Sequence, residues 1–97
     1  MYDLRYMPPA KKYFKKLKEK GLINAYGEAL SKIASNPYSG EAKTGDLAGV
    51  YCMDVFHEKT NHEIAYRIIE DGEHIVVVIL AGTRENFYSE LKRYMFS

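Results

Sequence analysis

The sequence has no tryptophan, one cysteine and three prolines in 97 residues. The lone Cys52 excludes an internal disulfide and any metal site built from several cysteines. On a core strand it reads as a small buried hydrophobe, and it suits a reducing, cytoplasmic compartment. No apolar run approaches the roughly 20 residues that a helix needs to cross a bilayer, so no membrane partner is expected. Charge sets in at Lys11, which leaves no signal peptide. The three histidines match no zinc spacing. His57 and His62 flank one turn and His74 follows another, so they read as solvated loop residues. No metal and no cofactor is expected.

What is present is a folded chain. The hydrophobic share is 46%, with nine tyrosines and four phenylalanines. That is enough for one modest core, so residues 1–97 read as a single domain. The net charge of +1 hides an asymmetry. Residues 1–20 carry +5, from Arg5, Lys11, Lys12, Lys15, Lys16, Lys18 and Lys20 against Asp3 and Glu19, whereas residues 41–97 carry −4. Lys11, Lys12, Lys15 and Lys16 crowd one segment and are candidates for nucleic-acid contact. A merely solvated helix face is the alternative.

The chain is organised around Ile75–Tyr94, where the run Ile75–Leu80 reads as a strand buried on both faces and the sheet centre. Tyr2–Met7 is short and extended, stopped by Pro8-Pro9. Pro9 opens a helix with Ala10, Phe14 and Leu17 on one face, and Gly21 reads as its C-terminal cap. A second helix presents Ile23, Tyr26, Leu30, Ile33 and Ala34 and ends at Asn36-Pro37. Tyr38–Gly49 reads as a loop. Val50–His57 and Asn61–Glu70 are strands, the latter with Glu63, Ala65 and Arg67 on one face. Asp71-Gly72 is a two-residue hairpin signal that sets Ile69 against His74 and Arg67 against Val76. A last helix runs from about Arg84 to Tyr94 with Thr83 as N-cap. The order β-α-α-β-β-β-α predicts an α+β fold with a four-stranded, mainly antiparallel sheet. The helices are expected on one face, and Glu63 and Arg67 on the open one.

The basic helical hairpin, the NPYSGEAKTGDLAG loop before GVYCMDVF, the NHEIAYRI strand, the DG turn and AGTRENFY follow one another over almost the whole chain. In that order and spacing they resemble the RelE/ParE superfamily of bacterial type II toxins. The resemblance implies a toxin neutralised by a cognate antitoxin. It also implies one of two targets: the ribosome and its mRNA, cleaved without metal, or DNA gyrase. A degenerate relative that only binds its antitoxin is the third possibility.

RNA cleavage of this kind needs a base for the 2′-hydroxyl, cations around the phosphorane and an acid for the leaving oxygen. Arg84 matches the family's phosphate-contacting arginine, and Tyr88 its tyrosine on the final helix. Arg84 and Tyr88 would share a helix face. Glu63 stands where such members carry a second arginine. It would either pair with Arg67 or act as general base beside Arg84. Glu41 falls near the general-base glutamate of the YoeB-like branch. An added anion weakens a phosphate and nucleic-acid site unless Arg67 or Lys43 compensates, because affinity follows summed cationic charge.

Overall fold

The computed structural model describes residues 1–97. The chain follows the expected order with one strand more than expected. β1 (Asp3–Tyr6), α1 (Pro8–Lys16) and α2 (Lys20–Ser35) come first. β2 (Glu41–Ala42), β3 (Tyr51–His57), β4 (Thr60–Ile69), β5 (Ile75–Thr83) and α3 (Phe87–Phe96) follow. The sheet is five-stranded, in the order β1-β5-β4-β3-β2. β1 runs parallel to β5, and the other pairs are antiparallel. β4, not β5, is therefore central. The fifth strand, β2, lies in the stretch expected to be loop and pairs only with Tyr51 and Cys52.

Pro8 and Pro9 sit in the first turn of α1, where a missing N–H costs no helical bond. Leu17 then turns to extended backbone and stops the helix. Gly21 does not cap α1. It lies in the first turn of α2, where a Cβ would come within 2.8 Å of the Glu19 carboxylate and the His57 ring. Glu19 is the cap of α2, accepting from the Leu22 N–H at 3.2 Å. The buried side of α2 is Leu22, Tyr26, Ala29, Ile33 and Ala34. Ile23, expected in that stripe, is 43% exposed.

The tight hairpin is also elsewhere. Glu58 and Lys59 both have positive φ and join β3 to β4 in two residues, closed by His57 opposite Thr60. Asp71-Gly72 instead lies within a longer loop, so Ile69 faces Ile75 and Arg67 faces Val77. The physical reason is Glu70. Its carboxylate accepts from the Tyr2 hydroxyl at 2.7 Å, the Tyr38 hydroxyl at 2.5 Å and His74 Nδ1 at 2.9 Å. These bonds hold Glu70 and His74 in the loop, outside the ladder.

Helices cover both faces of the sheet, which corrects the expectation of an open one. Tyr26, Ile33 and Ala10 pack on Ile64, Tyr66, Val76 and Val78. Opposite them, Phe87 and Leu91 of α3 pack on Cys52, Ala65, Ile79 and Leu80. β5 serves both layers through a bulge. Ala65 pairs with Leu80 but Tyr66 pairs with Val78, leaving Ile79 as the extra residue. Ile79 and Leu80 thus both reach the α3 layer, while Val78 and Ala81 face α1 and α2. This explains why the run shows no alternation.

Candidate functional site

The site forms where α3 crosses the end of the sheet. Glu63 on β4 faces the α3 layer, paired across the ladder with Gly82 on one side and Asp54 on the other. Gly82 has no side chain to fill the space, and Tyr88 leans over from α3. The Tyr88 hydroxyl donates to Glu63 Oε1 at 2.7 Å. Glu63 is only 2% exposed. Its other oxygen, Oε2, is buried and accepts no hydrogen bond. The nearest cation is Arg84, whose Nε lies 3.7 Å from Oε2, beyond hydrogen-bond reach.

Arg84 does not reach this place as a helical residue. β5 continues through Thr83, and the Arg84 N–H donates to the Asn61 carbonyl at 2.9 Å. That bond commits Arg84 to the end of the ladder. The turn to α3 is made by Asn86 at φ 63°, a left-handed conformation that asparagine tolerates, and Asn86 replaces Thr83 as N-cap. Arg84 and Tyr88 therefore meet through Glu63 and not through helical spacing.

Lys43 completes the cluster. Its Nζ lies 4.8 Å above the Tyr88 ring and 2.9 Å from Glu41 Oε1. Glu41 holds the Lys43 ammonium above its usual range, and Lys43 lowers the Glu41 carboxyl. Burial, then the Glu63 hydrogen bond, pushes the Tyr88 hydroxyl far up, so it stays protonated and serves as donor. Burial also pushes the neighbouring Cys52 thiol up to about 11, which removes it as a nucleophile near neutral pH.

The charges in this cluster are set in opposed pairs, Arg84 against Glu63 and Lys43 against Glu41. An incoming phosphate would have to compete with a carboxylate built into the sheet. Glu41, already engaged by Lys43, is not a free base.

The other expected residues lie apart. Arg67 is exposed and makes no ion pair with Glu63. It borders a cleft of about 370 Å³ with Met7, Ile79, Tyr94 and Met95. The lysines of α1 border several clefts, and Lys11, Lys12 and Lys15 share one of about 400 Å³ with Tyr6 and Pro8. Lys12 and Lys16 line one of about 380 Å³ that reaches Leu80, Ala81 and Glu90. Lys11 and Lys15 rim a larger one of about 740 Å³ between α1 and α2, lined by Tyr6, Phe14, Leu17, Ile23, Tyr26 and Leu30.

Two of the histidines depart from the solvated reading. His62 is buried, with Nδ1 bonded to the Val55 carbonyl at 3.2 Å and its ring against the edge of Tyr26. His57 bonds Glu19 at 3.0 Å. Asp54, the exposed carboxylate opposite Glu63, is not among the residues expected at the site. Alternation along β3 was the signal, since it puts Asp54 on the same face as Cys52.

The model of the ParE-like toxins of type II bacterial toxin–antitoxin systems matches residues 4–92. The chain belongs to that family. Solved structures share the fold of this ParE-like toxin. An arginine-substituted form of the E. coli toxin RelE in the free state superposes with a TM-score of 0.70 at 24% identity, covering 95% of this chain and 96% of that one. The RelBE2 toxin–antitoxin complex from Mycobacterium tuberculosis gives 0.65 at 24% identity, covering 86% and 98%. The intact E. coli RelBE complex gives 0.64 at 20%, covering 84% and 95%. No curated protein matches the sequence. No helix is long and apolar enough to cross a membrane.

Proposed function

We propose that this ParE-like toxin arrests growth by binding its target and not by cleaving RNA. The observation that carries this reading is the buried Glu63 carboxylate between Tyr88 and Arg84. A phosphorane needs unopposed positive charge. Here Arg84, the cation at the end of the ladder, already faces an anion that cannot leave. Of the targets implied by the family resemblance, DNA gyrase fits a binding mechanism, and the large apolar cleft between α1 and α2 suits a protein partner. A cognate antitoxin is the expected neutralising partner, in keeping with the toxin–antitoxin complexes among the similar structures.

One observation favours a second reading. Arg84, Tyr88 and Lys43 do converge on a single place. In that reading the ribosome aligns mRNA against them and Glu63 serves as base. Inducing the chain in a bacterial host without an antitoxin separates the two. Growth arrest with intact mRNA and lost plasmid supercoiling supports the first. Codon-phased mRNA cuts that vanish in Arg84→Ala overturn it. Unimpeded growth with folded protein present overturns both.

A further inference from the structure

The start of α2 and the turn between β3 and β4 meet at one point, where an imidazole and two carboxylates converge. Glu19 precedes α2, His57 ends β3 and Glu58 opens the turn. His57 Nε2 lies 3.0 Å from Glu19 Oε2 and 3.9 Å from Glu58 Oε2. All three donor atoms fall within 4.8 Å of one another. Ligands of a tetrahedral zinc ion, each about 2.0–2.1 Å from the metal, stand roughly 3.4 Å apart. The two distances from His57 bracket that spacing. No local spacing in the chain announces this set, because Glu19 and His57 are 38 residues apart.

Each donor is held in place. The Glu19 carboxylate accepts from the Leu22 N–H at 3.2 Å, the kind of outer bond that orients a ligating carboxylate. His57 is the last residue of its strand to pair, opposite Thr60, and its side chain is only 20% exposed. Glu58 takes φ 47° in the two-residue turn, which carries its carboxylate back beside the imidazole. Gly21 supplies the room. A Cβ there would stand 2.8 Å from both Glu19 Oε2 and His57 Cε1, so the two donors keep these places only beside a glycine.

The charges suit a divalent cation. Glu19 and Glu58 bring two negative charges, which outweigh the roughly half positive charge at the start of a helix. The imidazole decides the class of ion, because magnesium and calcium take oxygen ligands, whereas a set of nitrogen and oxygen suits zinc. The Glu58 side chain is 77% exposed, so water can reach the ion as a fourth ligand.

We propose that Glu19, His57 and Glu58 bind one zinc ion, which clips the start of α2 to the β3–β4 turn. Nε2 gives up its proton to the ion's place. That proton leaves to solvent from a charged imidazole and is replaced by one on Nδ1 in a neutral one. The inference rests on this cluster alone, so its failure leaves the toxin's mode of action untouched.

The test titrates zinc chloride into the whole chain, free of any affinity tag, by calorimetry, and follows the histidine rings by NMR. One ion per chain is expected, with the His57 ring signals moving, a melting temperature raised by zinc and no response to magnesium chloride. Glu58→Gln changes an exposed turn residue and leaves the fold intact. It should weaken zinc binding about tenfold or more, and His57→Ala at least as much. Gly21→Ala should also weaken it, since only the mobile ends of Glu19 and His57 need shift to admit the methyl group. His74→Ala should leave binding unchanged, although His74 also bonds a glutamate, Glu70. Absence of heat and of ring shifts at submillimolar zinc overturns the proposal. So do an equal response to magnesium, binding undiminished in Glu58→Gln, or binding lost in His74→Ala.

Discussion

Against α1 and α2 the sheet presents Val55, Ile64, Tyr66, Val76 and Val78, a surface whose buried polar groups all find partners. Tyr66 donates to the Pro37 carbonyl at 2.6 Å, and Tyr26 and Tyr13 share a bond at 3.1 Å. Against α3 the same strands present Cys52, Ala65, Ile79 and Leu80, and then Glu63 with one oxygen left over. The first face is an ordinary core. The second is a smaller core that runs into a charge pair. Burying a carboxylate is costly unless its charge and lone pairs are met, and Arg84 at 3.7 Å meets the charge only in part. The cost falls on the α3 face alone, so that face gives up stability that the other keeps.

The comparison can be broken first at its apolar members. Ile33→Ala should cost about 2–5 kcal/mol and Phe87→Ala about 3–5 kcal/mol, read by urea unfolding. If Phe87→Ala cost far less than Ile33→Ala, α3 would not be part of a core. The next effect tests the charge pair. Glu63→Ala should destabilise by about 1–3 kcal/mol, because the Tyr88 hydroxyl loses its acceptor. Glu63→Leu combined with Tyr88→Phe should be neutral or stabilising, since it makes the α3 face resemble the other. Equal losses for the single and the double variant would mean that Glu63 acts through packing and not through its charge.

A smaller effect is expected from pH. The hydrogen bond to Glu70 pushes the Tyr38 hydroxyl up to about 12. A raised hydroxyl stabilises the fold fully below the unfolded tyrosine range near pH 10, and the contribution fades as pH rises through about 12. Glu70 moves the opposite way, lowered first by the Tyr38 bond and then by the Tyr2 bond. Its contribution is present above the ordinary carboxylate range and is lost as pH falls through its depressed value. Thermal melts across pH should therefore lose both edges of this dependence in Glu70→Gln. The smallest change is expected for Lys43→Ala. Its partner Glu41 is solvated, with a side chain 76% exposed, so the pair contributes about 0–1 kcal/mol, measured by the same unfolding curves.

Much of this was legible in the residues. The strands at Val50–His57, Asn61–Glu70 and Ile75–Leu80 carry β-branched and alternating patterns that local chemistry dictates, and the structure keeps them within a residue or two, with β5 running on to Thr83. Glu63 beside Arg84 is one of the two pairings expected for it, the other being Arg67, and Arg84 meets Tyr88 through Glu63 and not through the expected helix face. The misses share a cause. Asp71-Gly72 is the stronger turn signal, yet Tyr2 and Tyr38, far away in the chain, hold Glu70 out of the ladder. The helix start was placed at Thr83 because threonine is a good cap, yet Asn61 on another strand holds the Arg84 amide.

The sequence by itself determined the main elements, their order and which side chains share a face of β3 and β4. Those follow from the period of the backbone, which is local. Only the tertiary structure decided that α3 covers the face carrying Glu63, and so turns a surface carboxylate into a buried one. Burial depends on what a distant segment packs against. It is burial that ties Glu63 to Tyr88 and sets it against Arg84.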